Sequence, residues 1–197
     1  MKTFLTYLAG FHYRPRSSVQ ELYKDPNAVK YGIWSILLIS VLYSFTSVGL
    51  HFFGYVECCY VEPLIKIPES SYWLIQTSWE IPLMFAFSIL PAGIADLLTY
   101  TKSRPSNFLQ LFSAMGFAVF TVQFLNMWLP ETIGLLIGRD FLPQIVHDIR
   151  QIILVPWWLL LMTLSISIMT QTPWLKAFLV SLVSFLPVAA LVILLVR

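Results

Sequence analysis

Two carboxylates interrupt an apolar run, and they are the first residues in this chain that could do chemistry. The run is YWLIQTSWEIPLMFAFSILPAGIADLL, residues 72–98, with Glu80 a third of the way along and Asp96 near its end. A carboxyl group held in hydrocarbon is either protonated or paired, and such groups mark proton and ion pathways. His51, at the same end of the preceding apolar run, is the candidate partner of Glu80. A second reading needs no buried acid. There, TSWEIP starts the helix, Thr77 or Ser78 caps it, and Glu80 sits in a first turn where the helix dipole favours negative charge. Asp96 then lies one turn from the other end, within reach of Lys102 or Arg104. The second reading uses more of the local sequence and is the expectation adopted.

HFFGYVECCYVE, residues 51–62, gathers His51, Glu57, Cys58, Cys59 and Glu62. These are transition-metal ligand types, but structural zinc sites space their cysteines two to four residues apart. Cys58, Cys59 and His51 are therefore expected to hold no metal, the two thiols packing as small apolar groups at a membrane edge. The sequence contains no phosphate-cradling glycine loop, no HExxH and no nucleophile–base spacing. No enzyme and no cofactor are expected.

The elements that must position these residues follow from composition. The chain of 197 residues is 58% hydrophobic and 11% charged, with a mean hydropathy of +0.76. Soluble domains are about one-quarter charged, and so few polar residues cannot cover a water-facing exterior. The net charge of +2 does not argue for nucleic acid. The fold expected is an all-α integral membrane protein whose first partner is the lipid bilayer.

A span needs about 20 apolar residues. Four uncharged runs, with the run holding Glu80 and Asp96 as the fifth, place five transmembrane helices at about 31–53, 73–98, 107–129, 152–170 and 174–196, within a domain covering 31–197. Pro82, Pro91, Pro156 and Pro187 fall inside them and free backbone carbonyls. Lys2, Arg14, Arg16, Lys24, Lys30, Lys102, Arg104 and Lys176 fall on one side of such a layout; Lys66, Arg139, Arg150 and Arg197 fall on the other. The excess places the N-terminus in the cytoplasm and the C-terminus outside.

Residues 1–30 read as a cytoplasmic amphipathic segment rather than a cleaved signal, because no long aliphatic stretch or small-residue cleavage site precedes the basic residues. Phe4, Leu8 and Phe11 share a helical face suited to the headgroup plane, with Arg14 and Arg16 towards anionic lipid. Ser18 and Glu21 have the spacing of a capping box for a second short helix. A further amphipathic surface helix is expected before span four, in FLPQIVHDIRQ, residues 141–151. Within span three, Ala114 and Ala118 bracket Gly116 and suit close helix packing.

FHYRPRSSVQELYKDPNAVKYGIWSILLISVLYSF resembles the opening of the Yip-domain family, in which a basic, aromatic and proline-containing segment precedes the first span. NFLQLFSAMGFAVFT is similar to that family's third span, with Gly116 and Phe117 at the positions of its Gly-Tyr pair. TPWLKAFLVSLVSFLPVAALVIL resembles its last span. The proline that follows the Gly-Tyr pair in the family is replaced near Thr121. The family's eukaryotic acidic-Leu-aromatic-Gly-Pro motif is absent, Asp25-Pro26 standing in its place, so the resemblance carries no GTPase partner. It implies five spans, a prokaryotic-type member in the cytoplasmic (inner) membrane, and a non-enzymatic scaffold that binds other membrane proteins or itself. The alternative is a small solute or ion/proton-coupled permease using Glu80 and Asp96.

Overall fold

The computed structural model describes residues 3–53, 68, 71–101, 106–137 and 144–195. Among these the chain is almost wholly helical. The helices are α1 (Phe4–Tyr13), α2 (Pro15–Tyr23), α3 (Ala28–Phe52), α4 (Tyr72–Thr99), α5 (Phe108–Gln123), α6 (Leu129–Ile137), α7 (Gln144–Met169) and α8 (Trp174–Leu195), with a π-helical turn, Phe124–Trp128, joining α5 to α6. Four of them, in α3, α4, α7 and α8, are long and apolar enough to cross a membrane. The fold is an all-α membrane-type bundle.

The centre of the bundle is α5, whose residues from Leu111 to Gln123 are all buried. Helices α3, α4 and α7 surround it, α8 packs on α4 and α7, and the α1–α2 hairpin closes the remaining flank. Span three was expected to stop at residue 129, before Pro130; instead the helix continues to Ile137. Pro130 lacks the N–H that an α-turn needs, and its ring crowds the carbonyl four residues earlier. The wider turn at Phe124–Trp128 accommodates both, with the Leu129 N–H donating to the Phe124 carbonyl.

Helices α3 and α5–α6 run parallel. The Ser113 hydroxyl donates to the Ala28 carbonyl, Trp128 Nε1 to the Leu42 carbonyl at 3.0 Å, and Thr46 pairs with Thr132 at 3.2 Å. The sequence offset is 85 before the π turn and 86 beyond it, as one inserted residue requires.

Two other expectations change. The stretch read as a separate surface helix before span four has no break from Gln144 onward and forms the first turns of α7; a capped, separate helix would have exposed ends that continuity removes. In the N-terminal segment, α2 begins at Pro15, which suits a first turn, so no capping box forms at Ser18. Ser18 is instead buried beneath Gly10, where a Cβ would strike the serine hydroxyl, and this lets α1 and α2 lie close.

Candidate functional site

Glu80 is buried, with 2% of its surface exposed. This overturns the expected helix start. Helix α4 begins at Tyr72, so Glu80 is its ninth residue, about 12 Å along the axis. Thr77 and Ser78 do not cap it: their hydroxyls donate back to the carbonyls of Trp73 (2.9 Å) and Leu74 (3.2 Å), the habit of these residues inside a helix. The helix starts early because Tyr72 and Trp73 bury their rings with Leu50 of α3, gaining apolar contact that the later start would lose.

The groups around Glu80 are unusual for a structural carboxylate. Gln76, one turn earlier on the same face, keeps a buried Oε1 without a hydrogen-bond partner. The Glu131 carboxylate of α6 acts on Glu80 coulombically, and beside Glu131 lies the Thr46–Thr132 pair. Among the described residues no cation pairs with Glu80. His51, its candidate partner in the buried-acid reading, stands half-buried at the end of α3 with its ring edge-on to Phe52 at 5.8 Å, and no hydrogen bond joins it to Glu80. The arrangement is an acidic site inside the helical bundle. Cys58 and Cys59 lie outside the described residues, and among the described residues no group of three metal-ligand side chains occurs.

Asp96 is a different kind of carboxylate. Its Oδ2 accepts the Ser106 hydroxyl at 2.6 Å and its Oδ1 accepts the Asn107 N–H at 2.8 Å, which ties the end of α4 to the start of α5. A negative charge there is favoured by the α5 dipole. Asn107 extends the clasp, its Nδ2 donating to the Met169 carbonyl at the end of α7 (3.1 Å). Lys102 and Arg104, the partners expected from sequence, lie outside the described residues. Asp96 therefore joins three helices rather than sharing a site with Glu80.

Gly116 lies at a close approach of two helices. A Cβ on Gly116 would come within 2.8 Å of the Gly32 carbonyl, and one on Gly32 within 2.6 Å of Ser113 Cα, so α3 and α5 approach backbone to backbone. Ala114 and Ala118 are buried but are not the residues against Gly32. Sequence reasoning missed Gly32 and Ser113; the signal was a small residue at the start of each of two helices, Gly32-x-x-Ser35 and Ser113-x-x-Gly116. Phe117, next to Gly116, takes the rings of Phe4 (6.1 Å), Tyr7 (6.0 Å) and Phe11 (4.9 Å, stacked). The apolar face of α1 thus packs on α5, not on lipid as expected, because aromatic rings offer it closer contacts than mobile chains do.

Tyr7 also donates to Asp25 Oδ2 at 2.8 Å, while Asp25 Oδ1 accepts the Asn27 N–H and orders the turn into α3. Burial, and then the bond to Asp25, raise the Tyr7 phenol well above its ordinary value. His12 sets its ring against Phe120 and Phe124, both at 6.3 Å, and burial lowers its pKa despite the bond to the Leu8 carbonyl. Arg14 and Arg16 are exposed. No protein-family model, no curated protein and no solved structure matches the chain.

Proposed function

We propose that this is a non-enzymatic, five-span integral membrane protein of Yip-like layout that holds a fixed binding surface for partners at and within the bilayer. The fifth span is the helix from Phe108 to Ile137. Its support is the parallel pairing with α3 from Ala28 to Thr46, shifted by only one residue at the π turn, which carries it alongside a membrane-length helix for about 27 Å. With α3 and α5–α6 parallel, the hairpin end is cytoplasmic; it carries exposed Arg14, Arg16, Lys24, Lys30 and Lys176. The C-terminus is then outside, in a prokaryotic-type inner membrane.

One observation carries the binding role. Helix α2 buries Ser18, Val19 and Leu22 while Arg16, Gln20 and Lys24 form an exposed polar row, so this surface is ordered before any partner arrives. A photo-crosslinker at Gln20 in intact cells tests it. A discrete adduct that weakens in Arg16→Glu and Lys24→Glu is expected; no adduct from any position of the row would sink the proposal.

The burial of Glu80 favours a second reading, an ion- or proton-coupled permease, in which Glu80, with Glu131 of the fifth span acting on it, is the intramembrane acid and Asp96 is engaged in its clasp. Purified protein in liposomes discriminates the two. The scaffold reading expects no flux of protons or solutes, whereas flux abolished by Glu80→Gln would install the permease in its place.

A further inference from the structure

Away from Glu80, the middle of the bundle holds polar atoms that the fold leaves unsatisfied. Trp158 sits near mid-height of α7, is 2% exposed, and has an indole N–H without a hydrogen-bond partner. Ser184 sits at mid-height of α8, fully buried, and its hydroxyl is likewise unpartnered. The two belong to one cluster. The Trp158 ring lies 5.3 Å from Phe185, the residue after Ser184, and 5.7 Å from Phe87 of α4, edge-on to both. Buried indole N–H groups normally find an acceptor, and in hydrocarbon no solvent supplies one.

Helix α4 supplies the complementary defect at the same height. Pro91 has no N–H, so the carbonyl of Phe87, four residues earlier in a buried stretch, loses its helical donor. Pro187 does the same to the carbonyl of Val183, which precedes Ser184. Two unpartnered polar side chains on α7 and α8 and a proline-freed carbonyl on α4 thus occur at one level of the bundle, around the rings of Phe87, Trp158 and Phe185. The lining also fixes the charge of any guest. No Asp, Glu, Lys or Arg occurs from Ile81 to Ala95, from Gln151 to Leu175 or from Ala177 to Leu195, so an ion would have no counter-charge there.

We propose that Trp158, Ser184 and the Phe87 carbonyl form a binding site for one small uncharged molecule that both accepts and donates hydrogen bonds, and that this molecule is water. The water accepts from Trp158 Nε1, donates to the Phe87 carbonyl and makes its third bond with Ser184, the number of partners a buried water takes. It ties α4 to α7 and α8 at the level where proline interrupts the α4 ladder. The site is independent of the scaffold and permease readings.

Indole-¹⁵N NMR of the full chain in lipid nanodiscs tests this, with the Trp158 Hε1 signal assigned by its disappearance in Trp158→Phe. A cross-peak between Hε1 and long-lived water is expected in the wild type. Ser184→Ala should weaken that cross-peak, and Pro91→Ala, which restores the α4 bond and consumes the acceptor, should remove it. A wild-type Hε1 without water contact overturns the proposal. So does an Hε1 whose shift moves with Pro91→Ala while no water contact is seen, because the indole would then bond the carbonyl directly.

Discussion

Glu80 and Asp96 stand sixteen residues apart on one helix, and the protein treats them in opposite ways. Asp96 lies at the hairpin end, where two donors meet its carboxylate and the surrounding helices meet through glycine, serine and stacked rings. Glu80 lies towards the other end, buried, beside a second carboxylate and an unsatisfied Gln76 oxygen. The hairpin end is a region where polar groups are used to hold helices. Farther along the bundle, beside helix links such as Thr46–Thr132, the buried polar atoms of Gln76, Trp158 and Ser184 have no such use. A charge-assisted hydrogen bond contributes to stability, whereas a buried, unmatched polar group costs it. Burial beside a second carboxylate, with no paired cation among the described residues, is what singles out Glu80.

The contrast breaks most visibly if the close approach of α3 and α5 is forced open. Gly116→Val places methyl groups where a Cβ already meets the Gly32 carbonyl at 2.8 Å, and backbone cannot yield as a side chain can. The expected loss is at the upper end of the ~1–3 kcal/mol typical of overpacking. Thermal unfolding of the purified protein in detergent reads it. An unchanged midpoint would mean that α3 and α5 do not touch there.

Asp96→Ala comes next. It removes the acceptor of both the Ser106 hydroxyl and the Asn107 N–H, at a cost of roughly 1.5–3 kcal/mol for bonds to a charged group. Asp96→Asn keeps one acceptor oxygen and should retain about half the effect. Equal, negligible effects of both substitutions would leave the clasp without energetic meaning.

Much of the hairpin end was legible in sequence, and much of the Glu80 region was not. Periodicity revealed the faces of α1 and α2, since Phe4, Leu8, Phe11, Val19 and Leu22 must lie along single sides of short helices. It could not say what those faces cover, because a ring of α5 and a lipid tail are equally apolar. Gly116 was readable as a packing residue, but its partner Gly32 depends on which helix lies opposite. For Glu80, TSWEIP contains every local sign of a helix start. The signal that prevailed, Tyr72 and Trp73 packing on Leu50, comes from another helix. Pro130 reads as a stop, and the π turn that lets the helix pass has no residue signature of its own.

A smaller effect belongs to pH at the hairpin. His12 has a docked pKa below its ordinary value of 6.5, because burial disfavours the charged ring. The sign follows. Above 6.5 the ring is neutral whether α1 is docked or free, and docking is at full strength. As pH falls below 6.5 the free form gains a proton that the docked form resists, so docking weakens until the lowered value is passed. The facing α5 and π-turn residues bring no charge; the ionisable side chains nearby in sequence are Tyr7, Tyr13, Arg14, Arg16 and Glu21 on α1, α2 and the link between them. A spin label at Leu5→Cys, a position 69% exposed, should gain mobility on acidification, and His12→Phe should abolish that gain. Equal mobility of the wild type at all pH values would remove His12 from the docking energy.

The smallest expected change tests the comparison most directly. Glu80→Gln keeps the side chain's length and volume and removes only the ionisable group. If Glu80 has no cation to hold, as the described residues indicate, the substitution removes no ion pair and relieves the field of Glu131. Replacing a buried ionisable group that stabilises nothing is neutral or favourable. The unfolding midpoint of Glu80→Gln should therefore equal or exceed that of the wild type, in the same assay where Asp96→Ala lowers it. A drop comparable to that of Asp96→Ala would mean that Glu80 is bound to a positive group within the folded protein. The two carboxylates would then differ only in depth, and the case for a function specific to Glu80 would rest on flux alone.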